Sequence, residues 1–257
     1  MTQGLLEHDT DGVPLALRTA WWATAWLRGA VVTDLLLDAV IGEDATHVVA
    51  GLDGLGLGGT PDAADTLVTG LGRLRAEGAA SFGLALPAEG DPVGLGGPRP
   101  FNDAALEAGQ AVVVAGAGVG LVPSRVGAAV TWRAYPAERR QLPDVGEADR
   151  ELRSALPRTA DALADLDVAR WRPEVADELL NLRHRTPIQA PAGVPARCVE
   201  LAARALQARA IVDLALADDG GAVAVHEIAA RRAVLLPLAR AARRGLVAAG
   251  SPEVWPS

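Results

Sequence analysis

The side chains able to do chemistry near neutral pH are few: histidines at positions 8, 47, 184 and 226, a single cysteine at 198, and cations that are all arginine, because the chain has no lysine. The histidines fall in separate segments, whereas a metal centre needs three or four ligands that converge. His226 and Glu227 begin like the zinc motif H-E-x-x-H, but its fifth position is Ala230, so no metal site is expected. His47 and Asp53 flank one short predicted strand, THVVAG, and can be read as a general base with its carboxylate partner. Cys198 sits in an almost wholly apolar helical stretch, where burial would raise its pKa and silence it, so it is read as a core residue. Ser124 lies between Pro123 and Arg125 without the G-x-S-x-G elbow of a hydrolase nucleophile.

Two glycine-rich stretches invite a phosphate-binding reading. In VVVAGAGVGLVPSR, Gly116 and Gly118 fit G-x-G-x-x-G, yet Leu121 occupies the third glycine position and Pro123 interrupts the helix that the motif requires. A glycine-containing β-hairpin is expected instead. GLDGLGLGGTPD lacks the Lys and hydroxyl residue of a P-loop, and a chain without Lys cannot build an ordinary one. What survives is a pocket for a small anion. Arg99 and Asn102 stand at the start of a short predicted helix, where free N–H groups and the helix dipole attract negative charge. Asp53, with Ser124 and Arg125 on a neighbouring strand end, would complete that pocket.

Trp21, Trp22, Trp26 and Trp255 form the other candidate surface. Trp favours cores and interfaces alike, so these residues either close the core or mark the face that meets a second copy or a partner.

The elements that must position these residues follow from periodicity and punctuation. Residues 14–28 are apolar almost all round and predict a helix buried on several sides. TDLLLDAVIGE predicts a second helix, with Thr33 or Asp34 as N-cap and Gly42 as its stop. A strand at THVVAG leads to a helix from Pro61 to Glu77 capped by Thr60, then come the strand SFGLALP, a loop from Ala88 to Pro100, a short helix around Asp103 to Ala108, and strands QAVVVA, VGLV and AAVTWRAY. From about Leu142 glycine becomes rare and helical periodicity takes over. Helices are expected near 145–155, 157–170, 173–185, 195–218 and 224–249, with the turn DDGG reversing the chain between the last two. Pro157, Pro173 and Pro195 sit where first turns tolerate proline, and Pro237 should kink the last helix near Ala233.

The fold expected is therefore a helix-rich α+β protein. Residues 1–142 form a small mixed sheet of four or five strands covered by helices and carrying the glycine-rich loops. Residues 143–257 are all-helical, end in a long αα-hairpin, and pack on the first region as one compact unit.

Composition narrows the function classes. The net charge is -8, with the acidic excess almost all before residue 143, which argues against nucleic-acid binding driven by basic side chains. No window has the apolar length of a membrane helix, and the N-terminus lacks the basic and apolar regions of a signal peptide, so a cytoplasmic protein without a membrane association is expected. A lone cysteine fits a reducing compartment and no internal disulfide. The expected function is a non-catalytic binding or protein-interaction role, with self-association or a protein partner, no cofactor, and room for a small anionic ligand. The alternative is an enzyme acting on a small anionic metabolite at the glycine-rich loops of the first half.

Overall fold

Period-two alternation in the strands and near-continuous apolar character in the first helix decide how the layers stack. The computed structural model describes residues 12–61, 63–138, 140–165, 188–217 and 225–256. Helix α1 (Leu15–Leu27) follows Pro14 and buries residues on most of its circumference, Leu17 and Trp21 among them. Helix α2 (Thr33–Ile41) stops at Gly42, whose φ of 55° suits a residue without a side chain. Its N-cap position is Val32, so Thr33 and Asp34 stand in the first turn rather than capping it.

Strand β1 (Thr46–Ala50) is followed by a short 3-10 turn at Asp53–Leu55, and then by a strand that the sequence reading missed, β2 (Ala64–Thr66). The helix expected from Pro61 is thereby corrected: α3 (Leu67–Ala76) begins at Leu67, with the Thr66 hydroxyl accepting from the Thr69 amide at 3.3 Å. Thr60 and Thr66 are both plausible caps. The second prevails because Ala64–Thr66 can pair with Val48–Ala50 and fill the outer edge of β1, while Asp65 reaches Arg73 on α3.

Strand β3 (Ser81–Ala85), helix α4 (Arg99–Ala108) and strands β4 (Ala111–Ala115), β5 (Val119–Val126) and β6 (Ala129–Pro136) complete the first half. The sheet has six strands rather than four or five, in the order β2-β1-β6-β5-β4-β3. Only β1 and β6 run parallel; the other neighbours are antiparallel. The Gly116–Gly118 stretch turns β4 into β5, and no helix follows Gly120, as the hairpin reading requires.

Alternation assigns the two faces. Val112, Val114, Val119 and Leu121 join the large core under α1 and α3, whereas Ala111, Val113 and Val122 join a smaller one under α4. Phe101 of α4 packs on Gly120, where a Cβ would stand 2.3 Å from its ring.

The second half contributes α5 (Val145–Asp165), α6 (Ala196–Ala217) and α7 (Val225–Ala249). The expected break at residue 156 is corrected, since α5 runs through Pro157 and α7 likewise runs through Pro237. Both prolines are exposed, and so are Arg153 and Ala233 four residues back, so the carbonyls that lose a partner lie on the water side of their helices. Helices α6 and α7 are antiparallel, with Gly245 against Leu201 and Ala205 of α6 and Leu152 of α5. The helix expected at 173–185, with Pro173, and the turn DDGG lie outside the described residues.

The end of α7 fastens the halves together. Gly250 packs on Leu17 and Leu84, and its carbonyl accepts from the Leu84 amide at 3.0 Å, which occupies part of the open edge of β3. Among the described residues no helix is long and apolar enough to cross a membrane.

Candidate functional site

The sheet sets Ser124 and Arg125 away from the other three residues of the expected anion pocket. Arg99 opens α4 with its side chain 90% exposed and pairs with Asp103 at 3.2 Å. Asn102 lies inside the helix, and its Oδ1 accepts the Gly97 amide at 3.1 Å, holding the preceding loop instead of a ligand. Helix α4 covers the start of β5, at Gly120, whereas Ser124 and Arg125 come four and five residues later, roughly 13–17 Å along an extended strand. The Ser124 hydroxyl donates to the Thr131 carbonyl across the hairpin, and Arg125 reaches Asp44. Asp53 follows the end of β1 that lies beside Arg133 of β6, while Arg125 pairs with Val130 near the beginning of β6. Asp53 and Arg125 thus occupy opposite ends of the sheet.

The glycine-rich loop before β2 folds over a cation of its own chain. A Cβ on Gly58 would fall 2.6 Å from the Arg73 guanidinium, which pairs with Asp65 at 2.8 Å. Three of the four candidate tryptophans are hydrogen-bonded within the chain. The indole N–H groups of Trp21 and Trp255 both donate to the Ala249 carbonyl, at 3.0 and 2.9 Å, and that of Trp26 donates to the Thr33 hydroxyl. Trp22 is half-buried against the same core.

His47 is not partnered by Asp53. It is 1% exposed, and its Nε2 donates to Asp44 Oδ2 at 2.9 Å while its Nδ1 accepts from Trp132 Nε1 at 3.4 Å. An indole nitrogen only donates, so this arrangement fixes the neutral tautomer with its proton on Nε2. Burial lowers the His47 pKa, and the positive charges of Arg18 and Arg125 add to it, against the opposing pull of Asp44. Burial alone would raise the Asp44 carboxyl, but hydrogen bonds from Arg125 and His47 outweigh it and hold it below its ordinary range. Both His47 ring nitrogens are engaged within the chain, which suits architecture better than proton transfer. Cys198 is also buried, and desolvation pushes its thiol up to about 11.

A second polar cluster is assembled at the start of α5. Asp144 Oδ1 caps the helix by accepting the amides of Gly146 at 2.8 Å and Glu147 at 3.0 Å. Beside it opens a cleft of about 440 Å³ lined by Arg150, Arg153, Arg197, Val145, Val254 and Pro256. Arg150 and Arg153 stand one turn apart on α5. Arg197 reaches in from the first turn of α6, lying so close to Gly146 that a Cβ there would stand 2.9 Å from its guanidinium. Arg153 is held by Asp149, which also accepts from Arg204 at 2.6 Å. Burial would raise that carboxyl, and the two arginines more than reverse the effect. Arg150 and Arg197 have no carboxylate partner among the described residues.

Sequence reading missed this cleft because only tertiary packing joins residues 144–153 to Arg197 and to the segment around Val254. The available signal was partial: two arginines spaced i, i+3 on an amphipathic helix, and Arg197 in the polar stripe of the next. Among the described residues no group of side chains could hold a metal ion.

The molecule so defined is an α+β protein with a helix-covered mixed sheet, a helical second half and a cation-lined cleft in that half. The chain matches the model of the Rv1486c-like protein N-terminal domain over residues 16–147 and that of the Rv1486c-like protein C-terminal domain over 146–247. It belongs to the Rv1486c-like protein family. Its relatives include the uncharacterized protein Rv1486c of Mycobacterium tuberculosis, 32% identical, with 91% of this chain and 96% of that one aligned. The uncharacterized protein ML1804 of Mycobacterium leprae is 28% identical over the same shares. The uncharacterized protein MAV321 of Mycobacterium avium is 30% identical, with 78% of this chain and 77% of that one aligned. No solved structure matches the chain.

Proposed function

We propose that this chain is a non-catalytic binding protein of the cytoplasm, and that it takes a small anionic ligand in the arginine cleft of its helical half. The observation that carries this reading is the gathering of three guanidiniums around one cavity, two of them without a carboxylate partner among the described residues. Holding like charges together is unfavourable, and an anion that accepts their N–H groups relieves it. The cavity, about 440 Å³, is of a size that suits a small molecule. The site moves from the glycine-rich loops of the first half to the junction of α5, α6 and the C-terminal segment. That move weakens the enzymatic alternative, since the loops on which it rested close over Arg73 and over the backbone at Leu84 and Ala85.

Calorimetric titration of the full chain with inorganic phosphate tests the reading. Saturable binding that is lost in Arg150→Ala/Arg197→Ala supports it; absence of binding, or binding untouched by the double substitution, overturns it. Self-association is the second reading, favoured by Val32, the N-cap of α2, at 63% exposure and Leu35, three residues on, at 51%. Sedimentation that gives a monomer at every concentration would remove it, and a dimer abolished by Leu35→Glu would establish it.

A further inference from the structure

Resting on that reading of the cleft, we infer that its ligand is a phosphate monoester with an apolar body. Three features select this class. The first is charge. Arg150, Arg153 and Arg197 face one carboxylate, Asp144, and the neighbouring pair of Arg204 with Asp149 adds nothing net. The cleft therefore carries a formal charge of about +2, which a phosphate monoester, close to a dianion at neutral pH, neutralises. A carboxylate supplies half of that, and a pyrophosphate exceeds it.

The second feature is the number of donors. Three guanidiniums approach from three positions on two helices, and a terminal phosphate offers three acceptor oxygens: Arg150 and Arg197 bring whole forks, and Arg153 the N–H groups that its bond to Asp149 leaves over. The Asp144 carboxylate does not compete for the arginines through Oδ1, which is occupied by the Gly146 and Glu147 amides.

The third feature is the remaining wall. Val145, Val254 and Pro256 present carbon to the cavity, and Val254 and Pro256 stay accessible. Inorganic phosphate would fill the cationic side and leave this wall wet. An ester group gains by covering it, at about 25 cal/mol for each Å² of apolar surface removed from water.

The experiment is a calorimetric titration of the full-length protein, at one ionic strength, with phenyl phosphate, inorganic phosphate, benzoate and pyrophosphate. Phenyl phosphate is expected to bind at least tenfold tighter than each of the other three. Arg197→Ala should weaken phenyl phosphate and inorganic phosphate alike, whereas Val254→Ser should weaken phenyl phosphate alone; circular dichroism of both variants checks that they fold. Equal binding of phenyl and inorganic phosphate, still lost in Arg197→Ala, overturns the ester and leaves the anion cleft standing. Tightest binding of pyrophosphate, or benzoate matching phenyl phosphate, also overturns it. If no anion binds at all, the proposed function fails together with the inference.

Discussion

His47 and Arg197 sit in clusters built from the same kinds of residue, and the two clusters differ in whether their hydrogen bonds are closed. Around His47 each ring nitrogen has a partner, and Asp44 accepts from both His47 and Arg125. Around Arg197 the carboxylate at hand, Asp144, is spent on capping its own helix, and two of three guanidiniums are left without a carboxylate among the described residues. A closed network gives stability and has little to offer a ligand. An open one costs some stability and keeps its donors for something else. Substitutions should therefore separate the two: large losses of stability without a binding phenotype in the closed set, and the reverse in the open set.

The largest effect is expected at Arg140, a buried cation whose two terminal nitrogens reach four acceptors. It is 3% exposed at the side chain and donates to the carbonyls of Leu84 and Gly94, to the Ser251 hydroxyl and to Glu253. It joins the linker after β6 to β3 and to the C-terminal segment, and Gly83 is the residue that leaves it room. Arg140→Ala should cost about 3–5 kcal/mol in chemical denaturation, because it leaves the carbonyls of Leu84 and Gly94 without this donor, at about 1–3 kcal/mol for each buried group left unmade. A loss below 1 kcal/mol would show that closure here carries little energy.

Asp44→Ala comes next. It strips His47 Nε2 of its acceptor and removes the Asp44–Arg125 ion pair, and should cost about 2–3 kcal/mol, mainly the penalty for leaving the buried His47 donor unmade. Phosphate binding at the arginine cleft should not change, because Asp44 belongs to the sheet and the cleft to the helical half. A coupled loss of both would break the contrast between the clusters.

How much of this could be read in advance depends on the range of the interactions. The strands were legible because Val112 to Val114 and Val119 to Val122 alternate between two faces, and the helices because Leu, Ala and Arg recur at helical spacing in α5 to α7. Errors arose where two local signals of equal quality competed, as with Thr60 and Thr66, or where a local rule depends on solvent, as with Pro157, whose cost falls when the orphaned carbonyl faces water. The candidate site was barely legible. Asp53, Arg99 and Arg125 are each near a loop or element end in sequence, but which sheet end each occupies follows from β1 running parallel to β6, and residue types alone do not reveal that. His47 pairs with Asp44 rather than with Asp53, because Asp44 becomes its neighbour only once the turn before β1 is formed.

The closed cluster should also leave a mark on the pH dependence of stability. The His47 pKa in the folded protein lies below its ordinary 6.5, burial being the main cause. As pH falls below 6.5 the unfolded chain takes up this proton and the native state does not, so stability declines until the folded pKa is reached. Protonation would also point an Nδ1–H at the Trp132 N–H, which opposes it directly. Asp44 and Asp149 are shifted downward instead, and their contribution is lost only below about 3.8. One proton limits the His47 slope to about 1.4 kcal/mol per pH unit. His47→Gln should flatten the stability profile just below pH 6.5 and leave the acid limb in place; an unchanged slope would mean that His47 accepts its proton in the folded state.

The smallest stability effect is expected where the functional effect is greatest. Arg197→Ala removes an exposed cation that has no carboxylate partner among the described residues and stands over Gly146 in a cleft shared with Arg150 and Arg153. Without ligand, the change in unfolding free energy should stay within about 0.5 kcal/mol, the usual span for surface substitutions, and relief of repulsion with the other two guanidiniums inclines it toward a gain. With phosphate present the sign should reverse, because the parent protein is stabilised by its bound anion and the variant is not. Unfolding measured with and without phosphate thus gives two numbers from one substitution. A loss above 1 kcal/mol in the absence of ligand would place Arg197 with Arg140 among the closed cations and leave the cleft without the cost that makes an anion welcome there.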